Sequence, residues 1–297
     1  MDWDLLRFFI ELARTGKLAS AARRLGVDQA TVSRRVQALE KEVGATFFIR
    51  TSTGMELTDA GRTMLSDAEV MEAAALRIRG LAQNQNDELT GVVRIGATEG
   101  FGSAVLAPHL ASFCARHPRL TIDLVAVSAV VSISRREADI VISLERPQRG
   151  PFVVTKLCDY VLLLYGARSY LANSERLQSL QDLKHHSLIG YVDDLLFSKQ
   201  LQFVNEINPP ERFSLRSTSV TAQLNAAAAG GGLAVLPAFL ADRDPRLVAV
   251  LERDVRFQRT FWMSVPEELR QLPRIRETWR YLRTVIEGER SLMMGVR

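Results

Sequence analysis

Three apolar patterns with helical spacing, each followed by a glycine, occupy the first 44 residues of the chain. Each pattern places apolar side chains on one face of a helix, and the segments between the patterns are short. Two short helices joined by a tight turn predict a helix-turn-helix, and Asp28 is placed to cap the third helix. The apolar positions and closing glycines are Leu5, Phe8, Phe9 and Leu12 with Gly16; Leu18, Ala21, Ala22 and Leu25 with Gly26; and Val32, Val36, Leu39 and Val43 with Gly44.

The face of the third helix opposite its apolar stripe carries small, hydrogen-bonding and cationic side chains. In a major groove, arginine reads guanine, glutamine reads adenine, and serine or threonine contacts a base or a phosphate. Residues 29–41 are therefore predicted to bind DNA; the alternative is an ordinary solvated helix face. At about 100° per residue, this face and its flanks contain Gln29, Ala30, Thr31, Ser33, Arg34, Gln37 and Lys41.

A β-hairpin is predicted directly after the third helix. The segment 47–49 is apolar, Ser52-Thr53-Gly54 has the composition of a turn, and 55–57 can form the returning strand. Such a hairpin would form a wing beside the helix-turn-helix. Arg50 and Thr53 are predicted to lie near the DNA backbone or the minor groove.

This N-terminal segment resembles the signature of LysR-type transcriptional regulators. It reads LASAARRLGVDQATVSRRVQALEKEVGATFFIR, followed by TSTGMELTDAG. The resemblance implies a winged helix-turn-helix (residues 1–62), a dimerising linker helix and an effector-binding domain. The chain departs from the pattern at Lys17 and Asp28, where the family usually has serine, and at Thr53, where the wing usually has a second basic residue. We expect the Thr53 departure to make the salt dependence of DNA binding shallower. The matching pieces are Ala-Ala at 21–22, Val-Ser at 32–33, Leu-Glu at 39–40, Phe-Phe-x-Arg at 47–50 and Leu-Thr-x-Ala-Gly at 57–61.

A heptad pattern rich in small residues follows in the predicted helix 58–88. Thr58 can cap its start, and its spacing is typical of close helix pairing. In the resembled family this helix forms a homodimer, and dimers commonly associate into tetramers or larger assemblies. The alternative is a helix that packs on its own domain. Residues 63–90 are assigned to this linker and a polar hinge that begins at 83. The seam positions are Met64, Ala68, Met71, Ala75, Ile78 and Ala82.

Beyond residue 90, short apolar strands alternate with helices, which predicts a parallel α/β sheet. The fold class is thus α/β with an N-terminal all-α winged helix-turn-helix. The late return of the chain to its first lobe resembles the two-lobed, periplasmic-binding-protein-like domain of the same family. Lobe I is assigned to 91–160 with 266–290, and lobe II to 161–265.

Polar residues that follow the predicted strands are candidates for an effector site, because ligands of open α/β sheets bind outside the carboxyl ends of the strands. The alternative for each serine or threonine is a helix cap. Acidic residues, including Glu145 and Asp194, suggest a cationic or polyhydroxy effector. The candidates are Thr98, Glu99, Phe101, Ser128, Ser143, Tyr191, Asp193, Ser217 and Thr218.

The remaining features favour a binding protein over an enzyme. No GxSxG, HExxH or GxxxxGK[ST] motif occurs, and neither a cofactor nor a metal is predicted; the adjacent His185 and His186 are interpreted as loop residues. Cys114 and Cys158 cannot supply a disulfide framework, and a redox pair is a weak alternative. No transmembrane span or secretory signal is predicted, which favours the cytoplasm.

The expected partners are double-stranded DNA carrying an inverted repeat, a small-molecule effector, further copies of the chain and RNA polymerase. Two other functions stay open at this point. One is an architectural DNA-binding protein without an effector, and the other is an enzyme targeted to DNA.

Overall fold

The chain folds into two compact units, residues 1–87 and 88–297. The structure is a computed structural model that describes residues 3–51, 54–65, 67–68, 71–72, 75, 89–128, 138–148, 150–203, 207 and 213–296. Each unit has its own buried apolar residues.

Up to the end of the wing, the described part of the N-terminal unit forms three helices and a two-stranded antiparallel sheet. Its core combines the apolar faces of the helices with Phe47 and Phe48. The rings of these two residues lie 5.2 and 5.4 Å from that of Phe9, so the wing and the first helix share one aromatic cluster. The elements are α1 (Trp3–Thr15), α2 (Leu18–Leu25), α3 (Gln29–Val43), β1 (Phe48–Arg50) and β2 (Met55–Leu57).

The predicted caps are present at both positions. The Asp28 side chain accepts a hydrogen bond from the backbone N–H of Thr31 at the start of α3, and the hydroxyl of Thr58 accepts one from that of Gly61. One apolar position was wrongly predicted, because Val43 is 45% exposed while the other three members of its stripe are buried. The helix ends at Val43, next to the left-handed Gly44, so its last turn leaves the core.

The wing docks against the turn between α1 and α2. The backbone N–H of Met55 donates to the carbonyl of Gly16 at 2.8 Å. Gly54 has a φ of +152°, and a Cβ atom there would lie 2.3 Å from the same carbonyl oxygen. Only glycine permits this close approach, which fixes the position of the hairpin on the helices.

Helical residues continue after the wing at 59–65, 67–68, 71–72 and 75. Ala68 is buried in the core of the N-terminal unit, as the alternative interpretation of the linker required, whereas Met71 is 43% exposed. Met64 and Ala75 are half-buried, and Met64 packs against the same core. The last two predicted seam residues, Ile78 and Ala82, and residues 83–88 of the predicted hinge lie outside the described residues. The dimer seam stays a prediction.

The C-terminal unit is built on a mixed sheet with the strand order β4-β3-β5-β11-β6-β9-β7-β8, and β10 also pairs with β6. The prediction of a parallel sheet was wrong for its centre, because β6 pairs antiparallel with β9, β10 and β11. β3 is parallel to β4 and β5, and β7 is parallel to β8 and β9. The strands are β3 (Gly91–Thr98), β4 (Leu120–Val127), β5 (Ile140–Ser143), β6 (Phe152–Ala167), β7 (Leu188–Gly190), β8 (Phe213–Arg216), β9 (Leu233–Pro237), β10 (Leu247–Val250) and β11 (Arg256–Pro266).

Helices cover this sheet and connect its strands. The first begins with a helical turn, Glu99–Phe101, and a π-helical turn, Gly102–Leu106. The helices are α4 (Ala107–Arg116), α5 (Arg168–Ala172), α6 (Val220–Ala228), α7 (Ala238–Ala241), α8 (Pro273–Gly288) and α9 (Arg290–Met293); single 3₁₀ turns occur at Leu180–His185, Asp193–Leu195 and Lys199–Leu201.

Two long antiparallel strands, β6 and β11, serve both lobes. Their register shifts between Phe261 and Trp262, and residues 262–264 pair with β5 of lobe I. The apolar runs of the sequence, which begin at 159 and 261, are shorter than these strands, because polar residues such as Lys156 interrupt the apolar pattern. The lobe boundaries at 160/161 and 265/266 stay predictions. The irregularity in the pairing of β6 with β11 lies a few residues before each of these boundaries.

Candidate DNA-binding surface and effector crevice

The predicted DNA-reading face of α3 is presented to solvent. Val32, Val36 and Leu39 anchor the opposite face in the core. Because one side of the helix is fixed by burial, the polar side is held in a defined orientation. Of the predicted readers and the adjacent lysine, the exposed residues are Gln29, Ala30, Arg34, Gln37 and Lys41, and the half-buried residues are Thr31 and Ser33.

Thr31 is less available than the sequence suggested. Its hydroxyl donates to Asp28 Oδ2 at 2.9 Å, while its backbone N–H donates to Oδ1 at 2.7 Å. These two hydrogen bonds hold the pKa of Asp28 below its usual value. The Thr31 hydroxyl can still accept a hydrogen bond, but it cannot donate one to DNA without leaving Asp28.

Neighbouring side chains hold α3 and the wing together. Glu40 Oε1 accepts hydrogen bonds from the backbone N–H groups of Phe47 (2.6 Å) and Phe48 (3.1 Å). Arg35 lies over the Phe8 ring at 5.9 Å, towards the apolar edge of the helix.

Of the two residues predicted for the wing, Arg50 is exposed at the end of β1, opposite Met55, and Thr53 lies outside the described residues. The role of Glu40 was missed, because its partners are backbone groups with no sequence signal.

Six of the nine predicted effector residues line one cavity of about 40 Å³ in the C-terminal unit. Four of them follow the parallel strands β3, β4 and β7, whose carboxyl ends meet there, as expected from the strand order. The six residues are Thr98, Glu99, Phe101, Ser128, Tyr191 and Thr218.

The other three candidates do not line this cavity. The Ser143 hydroxyl donates to the backbone carbonyl of Glu145 at 2.7 Å. Asp193 is exposed and lies 3.4 Å from an Arg216 nitrogen. The Ser217 hydroxyl accepts a hydrogen bond from the backbone N–H of Ser219 at 3.1 Å, so it shapes the turn before α6. The side chains of all three are thus engaged by residues close to them in the fold.

Aromatic rings that the sequence pattern does not single out form much of the cavity wall. Phe261 stacks on Tyr160 with ring centroids 4.4 Å apart and on Phe101 at 4.2 Å, and Phe239 packs edge-on against Phe101 at 5.9 Å. Phe197 completes the set. These residues lie on elements far apart in the chain, so only the folded sheet brings them together.

Two carboxylates of lobe I bind hydroxyl groups of lobe II. Glu99 accepts from Ser128 within its own lobe at 3.0 Å and from Ser219, the N-cap of α6, at 2.8 Å. Glu145 accepts from the Ser198 hydroxyl at 2.7 Å and from a backbone N–H at 3.1 Å. In this conformation the lobes are therefore joined by two separate carboxylate contacts.

Burial keeps the phenols of the cavity protonated. It raises the pKa of both Tyr160 and Tyr191 above the usual value for tyrosine. The negative charge of Glu99 adds to this effect at Tyr191. Both hydroxyls are therefore available as hydrogen-bond donors at neutral pH.

The two histidines considered for a metal site engage different partners. His186 Nδ1 lies 3.3 Å from the Tyr170 hydroxyl, and His185 lies 3.9 Å from Glu175. Within the described ranges, three or more His, Cys, Asp or Glu side chains do not converge into a metal-binding group. None of the helices in those ranges is long and apolar enough to cross a membrane.

We expect Cys158 to resist thiol reagents in the native protein. Burial, with a contribution from the charge of Asp159, raises its pKa to about 12, so very little thiolate forms near neutral pH. Mass spectrometry after treatment with iodoacetamide at pH 8 should find it unmodified, whereas treatment in urea should modify it. Equal modification in both conditions would contradict this prediction.

A winged helix-turn-helix followed by a two-lobed α/β domain with a crevice defines a ligand-responsive DNA-binding regulator. The chain belongs to the LysR family. Residues 3–62 match the model for bacterial regulatory helix-turn-helix proteins of the lysR family, and residues 86–287 match the LysR substrate binding domain. The protein is thus a LysR-type transcriptional regulator with a domain for a small-molecule effector.

Individual relatives agree with this assignment. The Mau operon transcriptional activator of Paracoccus denitrificans is 28% identical over 280 residues, which cover 92% of each chain. The regulator CrgA of Neisseria meningitidis is 25% identical over 244 residues, which cover 80% of each chain. A full-length OxyR variant from Pseudomonas aeruginosa has the same fold, with a TM-score of 0.73, 21% identity and full coverage of both chains.

Proposed function

We propose that this regulator reads its operator with the exposed face of α3. Gln29, Ala30, Ser33, Arg34 and Gln37 would meet base edges or phosphates in the major groove, with Thr31 as an acceptor and Arg50 and Thr53 at the wing. The observation that carries this proposal is the rigid anchoring of α3, by three buried side chains on one face and by the Glu40 hydrogen bonds to β1. Those contacts leave the basic, polar face to project from the unit.

The effector is proposed to bind in the cavity at the carboxyl ends of the parallel strands. Residues of both lobes line this space, so a bound molecule would contact lobe I through Thr98, Glu99 and Ser128 and lobe II through Tyr191 and Thr218. A ligand shifts the lobe arrangement only to the extent that it binds one arrangement more tightly than the other. The crevice is well placed for such a difference, because it is formed by the two lobes together.

LysR regulators bind DNA and form oligomers, and for this chain we propose a homodimer through the linker helix, with dimers pairing into tetramers. A two-fold dimer would require an inverted repeat with half-sites a whole number of helical turns apart. RNA polymerase is the proposed downstream partner, in the cytoplasm. No catalytic step is proposed, in keeping with relatives that are named as transcriptional regulators.

Selection of random duplex DNA by the full-length protein at two salt concentrations tests the proposal. We expect an inverted repeat to be enriched at both concentrations, because base contacts persist when phosphate contacts weaken. Binding without any enrichment, lost as salt rises, would contradict sequence-specific reading. It would favour an architectural role instead.

A further inference from the structure

We infer that the effector of this regulator is a small organic cation, of the size of a short-chain alkylammonium ion, and that Glu99 selects it. This inference rests on the proposed effector site and specifies its ligand. Its basis is the juxtaposition of a carboxylate, hydroxyl acceptors and several aromatic faces around one small cavity.

The hydrogen bonds and the charge of the Glu99 carboxylate favour a cationic ligand. Both of its oxygens accept hydrogen bonds from serine hydroxyls, which is the pattern of an ionised carboxylate. Each oxygen can accept a further hydrogen bond, so the group is not saturated. Among the residues that the structure describes, Glu99 forms no ion pair with a lysine or arginine. A cationic ligand would supply the missing counter-charge.

The walls of the cavity favour the same class of ligand. Phe101, Tyr160, Tyr191 and Phe261 line the space, and an aromatic face that is open to it would attract an ammonium group through its quadrupole. Phe261 stacks on both Phe101 and Tyr160, so its own faces are not available. The Tyr160 side chain is 2% exposed and lines this space.

Arg259 lies opposite Tyr160 in the pairing of β6 with β11, so it is a basic residue next to the cavity wall in sequence register. Its guanidinium packs over Phe257 at 5.5 Å and donates to the backbone carbonyls of Gln200 and Gln258. It does not line the cavity. Its positive charge acts on Tyr160, while these hydrogen bonds hold the guanidinium at carbonyls of residues that do not line the cavity.

The same arrangement of groups opposes anions. The free N–H groups at the start of α6 form the kind of position where a carboxylate ligand binds. Here Glu99 already accepts from the α6 cap residue, Ser219. An anionic ligand would have to displace Glu99 or lie beside its charge, and both cost free energy.

The volume of the cavity sets the size of the ligand. One water occupies about 10–15 Å³ of such space, so a cavity of about 40 Å³ accommodates roughly three or four heavy atoms. At the highest free energy that a heavy atom contributes, three atoms reach a Kd of about 0.5 mM and four a Kd of about 0.04 mM. Most ligands of this size bind more weakly, so the screen uses ligand concentrations of roughly 10 mM or more.

The test compares three ligands of matched size and different charge on the full-length protein: ethylammonium chloride, ethanol and sodium acetate, with sodium chloride balancing the ionic strength. We expect ethylammonium at about ten times its Kd to raise the unfolding midpoint of the C-terminal unit by roughly 3 °C. Ethanol and acetate should leave the midpoint unchanged.

Two variants locate the effect. Glu99→Gln keeps the shape of the side chain and removes its charge, so it should abolish the ethylammonium shift. Glu145→Gln is the matched control, because Glu145 also joins the lobes through its carboxylate but does not line the cavity. It should retain the shift. The comparison of three ligands on the wild-type protein does not depend on either variant.

Three results would overturn the inference: stabilisation by acetate but not by ethylammonium, an undiminished ethylammonium shift in Glu99→Gln, or no shift with methyl-, ethyl- or propylammonium at roughly 50 mM, about 100 times the tightest Kd expected for three heavy atoms. The first would leave the crevice as the effector site and change only the ligand class. In every case, enrichment of an inverted repeat in the DNA selection would still stand as support for the regulator function.

Discussion

Replacing Phe9 with alanine is expected to lower the free energy of unfolding of the N-terminal unit by about 3–5 kcal/mol. Phe9 is fully buried, and its ring contacts both wing phenylalanines. Truncation would leave a cavity between α1 and β1, which a well-packed core cannot fill. Small domains have total stabilities at the low end of about 5–15 kcal/mol. The variant should therefore lose most of its DNA-binding unit at physiological temperature.

Hydrogen exchange followed by mass spectrometry measures this effect, because it reports on each unit separately. Amides in 3–51 should exchange much faster in Phe9→Ala, while those of 152–167 should not change. Phe113→Ala is the matched control: Phe113 is buried in the C-terminal unit and stacks on Tyr281 at 4.5 Å. It should accelerate exchange only in its own unit. Unchanged N-terminal exchange in Phe9→Ala would refute the prediction.

Replacing Arg34 with alanine is expected to weaken binding to the selected operator about 5- to 150-fold, or about 1–3 kcal/mol, if the guanidinium is bidentate to a guanine. Arg34 is exposed on the polar face of α3. Binding to random DNA should fall much less, because a base contact contributes little there. Fluorescence anisotropy with operator and random duplexes over a range of salt concentrations measures both affinities.

Arg35→Ala is the control on the same helix, since Arg35 lies over the Phe8 ring at the edge of the exposed face. Its loss should affect operator and random DNA alike, as expected for a residue that contacts at most a phosphate. An equal loss on both DNAs in Arg34→Ala would show that Arg34 also contacts a phosphate. Sequence preference would then have to come from Gln29 or Gln37.

Most secondary structure of the N-terminal unit could be predicted from the sequence, because buried side chains recur with the period of a helix. The three helices, the Asp28 cap and the hairpin all follow from local patterns, because helix faces, caps and turns depend on residues close in sequence. Val43 was missed because periodicity does not show where the core ends. The partner of Glu40 was missed because backbone N–H groups leave no trace in the sequence.

The effector crevice could be predicted from the sequence only in part. The ends of β3, β4 and β7 could be located from strand order alone, and six candidates meet there. The walls could not, because Tyr160, Phe239 and Phe261 meet only through the pairing of β6 with β9 and β11. Short-range hydrogen bonds also remove Ser143 and Ser217 from the site, and those depend on side-chain rotamers that a strand pattern does not specify.

The two serines that hold Glu99 have an evolutionary consequence. Without the carboxylate, the hydroxyls of Ser128 and Ser219 would face the cavity beside the free N–H groups of α6, and together these donors form an anion site. The rest of the cavity would not have to change. A duplicated gene could thus acquire a response to metabolites of opposite charge through one substitution at position 99, while its operator recognition stayed as it was.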